Sequence, residues 1–331
     1  MKQKALEKLV KNLLSADFDF YAPIKRGDKV FVAQINNLQE IDWSGQIPFN
    51  TYKSIFLPQK QNLLEIKNQQ VKNPVVKNKK QIAWGMSILD LQAFSLFEHV
   101  FRNDFAYQKN RQNTFVVGYS TGLPDDYRKY KAFHANYEEN ILEHLMFDVF
   151  IEHQKNGNYI LFTGSEKGQQ LLEQNGIQDY QNIEFAGLVP EQGIDPKILA
   201  NRKAVELGIN HPIWDELAQI CLACGKCSIH CPTCFCFDCK DEPDFDSVKK
   251  VRQWTSCFYP EFSKVAGNHK DLDSVKKKLY FWYYHKFVRI PEEFSYYGCV
   301  SCMRCYKVCP VAINIANVLK NLRTKELKNI D

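Results

Sequence analysis

Apolar residues in the opening stretch, MKQKALEKLVKNLLSADF, fall at Leu6, Leu9, Val10, Leu13 and Leu14. That spacing marks one face of a surface helix, and the interleaved lysine, glutamate and asparagine exclude a signal peptide's apolar core. Residues 18–35, DFDFYAPIKRGDKVFVAQ, place β-prone runs on both sides of Arg26-Gly27-Asp28, the pattern of a hairpin. SIFLP at 54–58 predicts another strand, and the polar, lysine-rich residues 59–80 predict an exposed connection. QIAWGM (81–86) and TFVVGY (114–119) read as buried strands, with a helix over SILDLQAFSLFEHVF (87–101) between them. MFDVFIEH and NYILFTG flank Lys155-Asn156-Gly157-Asn158 as a second hairpin, and a helix follows from about Glu166.

The pattern changes near Asp195-Pro196. PKILANRKAVELG and HPIWDELAQI both read as helices, and the second leads directly into a cysteine. The expectation is an α+β (or α/β) domain over residues 1–195, followed by a mainly α-helical domain over 196–331. The most apolar run after that point, LYFWYYHKFV (279–288), is half the length of a membrane span and contains His285 and Lys286. No membrane span is predicted, and the chain reads as cytoplasmic. His285 and Lys286 either present a basic edge to an acidic partner or belong to an ordinary core-and-rim helix.

Composition sharpens this division. The chain has 331 residues, 45% of them hydrophobic and 13% aromatic, enough for two packed cores. All 12 cysteines lie beyond residue 220, and seven of them fall within CLACGKCSIHCPTCFCFDCK (221–240). In a cytoplasmic chain of this size, that density points to metal rather than disulfides. Charge is split as well, with +6 over residues 221–331 and −1 over the rest. A basic half raises the question of nucleic acid.

The spacing of the cysteines answers it. Cys221, Cys224, Cys227 and Cys231-Pro232 spell C-x2-C-x2-C-x3-C-P, and Cys299, Cys302, Cys305 and Cys309-Pro310 spell it again. Three thiolates two residues apart let a tight loop wrap three irons of a cubane. The fourth cysteine is expected to open a helix pointing elsewhere, with proline in its first turn. In two-cluster ferredoxins that fourth cysteine ligates the other cluster. The expected sets are therefore Cys221, Cys224, Cys227 and Cys309 for one [4Fe–4S] cluster, and Cys299, Cys302, Cys305 and Cys231 for the other. Zinc is the competing reading for C-x2-C pairs, but it gives no reason for this longer spacing twice. Each ligated cluster carries about −2, so the pair offsets most of the basic excess and no nucleic-acid partner is expected. The 67 residues between Cys231 and Cys299 include VKKVRQW and DSVKKKLYFWYYHKF, which read as helices and suggest a helical dicluster ferredoxin-type domain.

These residues resemble a known family. CLACGKCSIHCPTCFCFD, RQWTSC (252–257), AGNH (266–269) and YYGCVSCMRCYKVCPV look like the β subunit of cytoplasmic sulfhydrogenases and the dicluster electron-transfer subunit of anaerobic sulfite reductase. YAPIKRG (21–27), FLPQKQNLLE (56–65), IAWGMSILDL (82–91) and TGSEKG (163–168) follow the same order in the N-terminal half. The resemblance implies an electron-transfer subunit that relays electrons between two partners, one binding flavin and NAD(P)H and the other catalytic. That catalytic partner is a nickel–iron hydrogenase, which CPTCFCFD favours, or a sirohaem reductase. Ser87 and Leu89 stand where relatives often carry Arg and Cys, so the N-terminal domain reads as a docking scaffold. Val300-Ser301 stands where a glycine is usual.

Four cysteines remain: Cys234, Cys236, Cys239 and Cys257. They either make a third metal site or pack as small buried groups around the clusters. Arg252 and Trp254 are expected to pack over a cluster and exclude solvent. His230 and His269 read as hydrogen-bonding or surface residues, and Gly164–Gly168 as a strand-to-helix turn without phosphate-loop spacing. A self-contained iron–sulfur flavoenzyme is the alternative of another class.

Overall fold

The computed structural model describes residues 1–72, 79–121, 140–189 and 193–326. They fall into two compact units, Met1–Leu57 with Val76–Gly193, and Pro58–Val75 with Ile194–Asp331.

In the first unit the helix Gln3–Ser15 buries Leu6, Leu9, Val10 and Leu13. Strands β1 (Phe18–Arg26) and β2 (Lys29–Ile35) form the expected hairpin, with Gly27 at φ 61° in its turn. SIFLP is not a strand. Lys53–Phe56 form one helical turn, and Ile55, Phe56 and Leu57 are all buried. Three consecutive buried residues rule out the alternation of a half-buried strand.

The next segment belongs to the second unit. β3 (Lys60–Lys67) and β4 (Gln70–Lys72) pair antiparallel where an exposed connection was expected; residues 73–78 of that connection lie outside the described residues. The chain then re-enters the first unit at β5 (Lys80–Met86), continues through the helix Ile88–Val100 to β6 (Thr114–Ser120), and completes the sheet with β7 (Val149–His153), β8 (Tyr159–Thr163) and β9 (Gln181–Asn182). The strand order is β2-β1-β5-β6-β7-β8-β9. β5, β6 and β7 are parallel neighbours, and every residue of β6 is buried, as a central parallel strand covered on both faces requires. Phe20, Trp84, Val117 and Ile151 share one core with the opening helix.

The second unit is helical around its cysteines. Its helices are Pro196–Leu207, Ile213–Ile220, Lys226–Ile229, Val275–Tyr284, Ile290–Phe294, Arg304–Lys307 and Ile315–Glu326. Asp195 caps the first, accepting from Lys197 N at 2.8 Å ahead of Pro196. VKKVRQW is a strand rather than a helix. β10 (Phe237–Pro243) and β11 (Ser247–Trp254) join β3 and β4 in a four-stranded sheet, order β10-β11-β3-β4. β11 therefore has a partner on each side, and its lysines face acids: Lys249 lies opposite Glu242 on one strand and Glu65 on the other, and Lys250 opposite Asp241. Opposite charges directly across a ladder stabilise such a sheet where helix propensity would favour a helix.

Candidate metal centre

The two cysteine runs share one backbone. The helix Ile213–Ile220 ends at Cys221, whose N–H donates to Leu217 O at 2.9 Å. Two residues on, Ala223 has φ 49°, and two further on Gly225 has φ 72°. In the second run the equivalent residues, Ser301 and Met303, have φ 56° and 58°. Left-handed conformations at alternate residues curl the chain and turn successive N–H groups inward. In both loops the consequence is the same: Ala223 N–H reaches the Cys221 thiol, and Ser301 N–H reaches Cys299. The positive φ of Ser301 also explains why glycine suits that position. Gly225 is needed for a second reason, since a Cβ there would lie 2.7 Å from Ser256 Oγ and Tyr259 Cε1.

A one-turn helix follows each loop, Lys226–Ile229 and Arg304–Lys307. The fourth cysteines come after these helices and do not open new ones. Cys234 N donates to Cys231 O, and Ala312 N donates to Cys309 O at 3.2 Å. Pro232 and Pro310 therefore occupy the second position of β-turns, where a fixed φ is favoured and no N–H is needed.

These turns carry each fourth cysteine toward the other run. Cys221, Cys224 and Cys227 line a pocket enclosing about 540 Å³, and Cys309 stands on the same wall. Leu279, Trp282 and Tyr283 give it an apolar side, and Cys305 also borders it. Cys231 acts electrostatically on Cys299 and Cys305. Burial pushes the Cys227 thiol up to about 12 and Cys299 to about 11. Thiolates in these positions need a positive core to balance them, and iron supplies it. The donor set fits two [4Fe–4S] clusters: eight thiols, inward N–H groups and apolar walls.

Cys231 has partners that the cysteine spacing does not announce. Lys286, 2% exposed, donates from Nζ to Cys231 Sγ, Thr233 Oγ1 and Gly298 O, each at 3.0 Å. The Thr233 hydroxyl donates to Gly298 O at 2.7 Å. Cys234 hydrogen-bonds Cys231, and this, with the Lys286 charge, holds Cys231 well below the usual thiol range. Lys286 thus points into the core and presents no basic edge. His285, stacked on Phe281, is pushed down to about 4 by burial and by Lys286.

The remaining cysteines divide. Cys236 acts electrostatically on both Cys234 and Cys257, whereas Cys239 is exposed on β10 opposite Arg252. Among the described residues, no three of His, Cys, Asp and Glu come together closely enough to hold a single metal ion. Arg252 is buried, donating to Gln61 Oε1 of β3 at 2.7 Å and lying 5.3 Å over the Phe237 ring. Trp254 N donates to Gln59 O, so both residues serve the sheet. His230 Nδ1 donates to Lys226 O, and His269 pairs with Asp271, both in exposed contacts.

Two cysteine loops of the same backbone shape, set around a helical core, define an iron–sulfur electron-transfer protein. Residues 220–313 match the family model described as a 4Fe–4S dicluster domain. That matched region, with its two cysteine runs, carries two [4Fe–4S] clusters. It is also 25% identical over 318 residues to sulfhydrogenase 2 subunit beta of Pyrococcus furiosus, an alignment covering 92% of each chain. Among the described residues, no helix is long and apolar enough to cross a membrane.

Proposed function

We propose that this chain is the electron-relaying component of a cytoplasmic oxidoreductase complex. Its partners on either side are a flavin- and NAD(P)H-binding subunit, and a catalytic subunit of the nickel–iron hydrogenase type. The observation that carries this reading is the likeness to a sulfhydrogenase β subunit over 92% of both chains, which includes the N-terminal unit as well as the dicluster domain. A free ferredoxin has no use for an N-terminal unit with a seven-stranded sheet. Here residues 1–195, apart from the β3–β4 strands that join the second unit, serve as the docking scaffold, and residues 196–331 form the dicluster domain.

Cys221, Cys224, Cys227 and Cys309 hold one cluster, and Cys299, Cys302, Cys305 and Cys231 the other. When bound, each cluster accepts and releases single electrons. The chain's own residues do the rest. The Ala223 and Ser301 N–H groups stabilise thiolate charge, and Trp282, Tyr283 and Leu279 keep water from one side of the pocket. Cys234 and Cys257, buried, and Cys236, half-buried, tune their surroundings as thiols.

Anaerobic native purification, with mass spectrometry of what accompanies the chain, tests the assignment. The expected companions are a flavoprotein and a nickel–iron large subunit. A sirohaem protein in their place would make the chain part of a sulfite reductase. Recovery of the chain alone, with both clusters and bound flavin, would overturn the relay in favour of a self-contained enzyme.

A further inference from the structure

A buried ammonium touching a cluster cysteine is unusual enough to need a cause. Lys286, Cys231 and Thr233 are 2%, 8% and 0% exposed, so no water layer screens the contact. The charge state follows from hydrogen-bond counting. Thr233 commits its single O–H to Gly298 O and so accepts from Lys286; Cys231, a thiolate when it ligates iron, has no S–H to give, so with Gly298 O the Nζ has three acceptors. A neutral amine has two N–H groups, an ammonium three. Lys286 is therefore cationic.

The backbone is shaped to place it there. Between the helices Val275–Tyr284 and Ile290–Phe294, residues His285–Arg289 form a π-helical turn, a wide turn that inserts a residue and re-aims the side chains around it. Gly298 lies so close that a Cβ would sit 2.4 Å from Lys286 O and 2.8 Å from its Cα. A glycine, a π turn and a threonine hydroxyl all converge on one ammonium.

We propose that Lys286 is a potential-setting residue: its buried positive charge, in contact with Cys231, raises the reduction potential of the cluster that Cys231 helps to hold. This rests on the ligand assignment given above. Adding an electron makes a cluster more negative, and a fixed cation within hydrogen-bond distance of one of its thiolates favours that form. Lys286 Nζ hydrogen-bonds Cys231 directly and also acts on Cys299 and Cys305 of the same set, whereas on Cys227 of the other set it acts only through space, so the effect falls mainly on one cluster. Lys226, on the other pocket, is exposed and screened by water.

The test is an EPR-monitored redox titration of the complete, anaerobically purified protein, with iron counted per chain. Lys286→Met is expected to keep all the iron and move one cluster's midpoint to more negative potential, leaving the other near its wild-type value. Unchanged midpoints with full iron would overturn the proposal. Lys286→Gln, which keeps N–H donors but no charge, should reproduce the shift; loss of one cluster in both variants would make Lys286 a structural tie instead. Cys231→Ser separates this from the ligand assignment. It should alter the EPR signal of the cluster whose midpoint moved. An altered signal from the other cluster would sink the Lys286 proposal, whereas no change in either signal would sink the assignment of Cys231.

Discussion

The Thr233 hydroxyl donates to the Gly298 carbonyl over 2.7 Å, tying the turn after the first cysteine run to the residue that opens the second. Both ends are buried, and Gly298 has no room for a side chain. Gly298→Ala would drive a methyl into Lys286 backbone atoms that the helix cannot release. Overpacking of this kind costs about 1–3 kcal/mol. The expected outcome is a lower unfolding midpoint together with loss of iron, measured by denaturant titration and iron assay under anaerobic conditions. A variant as stable and as iron-rich as wild type would show that the two runs are not held in register at this point.

The proposed exchange of fourth cysteines makes a pairwise prediction. Cys309→Ser should alter the same EPR signal as Cys221→Ser, because Cys309 acts directly on the Cys221 thiol, whereas Cys305 is acted on by Cys299, Cys302 and Cys231. Cys305→Ser should alter the other signal, although Cys305 is only four residues from Cys309. If each variant instead grouped with its own run, every cluster would be held by consecutive cysteines and the crossed assignment would fail. Iron and zinc assays complete the picture, with about eight irons and no zinc expected per chain from two cubanes.

How far these features could be read from sequence depends on the range of the forces behind them. The cysteine loops are local: ligation fixes spacing, and spacing is visible in Cys221–Cys231 and Cys299–Cys309. The sheet of the N-terminal unit is also legible, because TFVVGY is apolar at every position and the Arg26-Gly27-Asp28 turn announces its hairpin. VKKVRQW misled because Lys, Arg and Gln favour helix in isolation, while its fate was decided by β3, almost two hundred residues earlier in the chain. SIFLP misled for the opposite reason, its β-prone composition being folded into one turn that buries Ile55, Phe56 and Leu57 and leaves Ser54 exposed. Lys286 looked like any lysine on an aromatic helix. Only the π turn, which has no sequence signature, turns it inward.

In the N-terminal unit one carboxylate organises several strands. Asp148, 1% exposed, accepts from Val116 N at 2.8 Å and Ser165 Oγ at 2.7 Å, and pairs with Arg111 at 3.3 Å. Asp148→Ala would leave Arg111 with Glu98, at 3.0 Å, as its remaining carboxylate among the described residues, and strip a buried N–H of its acceptor. Breaking a buried pair in this way costs about 3–5 kcal/mol. Denaturant unfolding followed by tryptophan fluorescence should show that loss, while iron content stays at the wild-type level, since Asp148 belongs to the unit without cysteines. A change below about 1 kcal/mol, the ordinary range for a surface pair, would mean that water replaces these contacts.

The same neighbourhood gives a pH dependence. Lys167 donates from Nζ to Thr114 O at 2.8 Å and Gln112 O at 3.0 Å, and sits 4.3 Å over the Phe115 ring. Burial pushes its ammonium down to about 8, Asp148 opposing the shift and Arg111 adding to it. An unfolded lysine titrates near 10.4. Below pH 8 both states hold the proton, and the cost of burying the charge is present in full. Between about 8 and 10.4 the unfolded chain binds more protons than the folded one, so this contribution to stability rises with pH. Above that window both are neutral and it levels off. The wild type should therefore gain on Lys167→Met as pH is raised from 7.5 to 10. The comparison is the difference between the two unfolding midpoints at each pH, which cancels every group the proteins share. A difference that stays flat would mean that Lys167 keeps an ordinary lysine pKa despite its burial, and one that falls would mean a pKa raised above it.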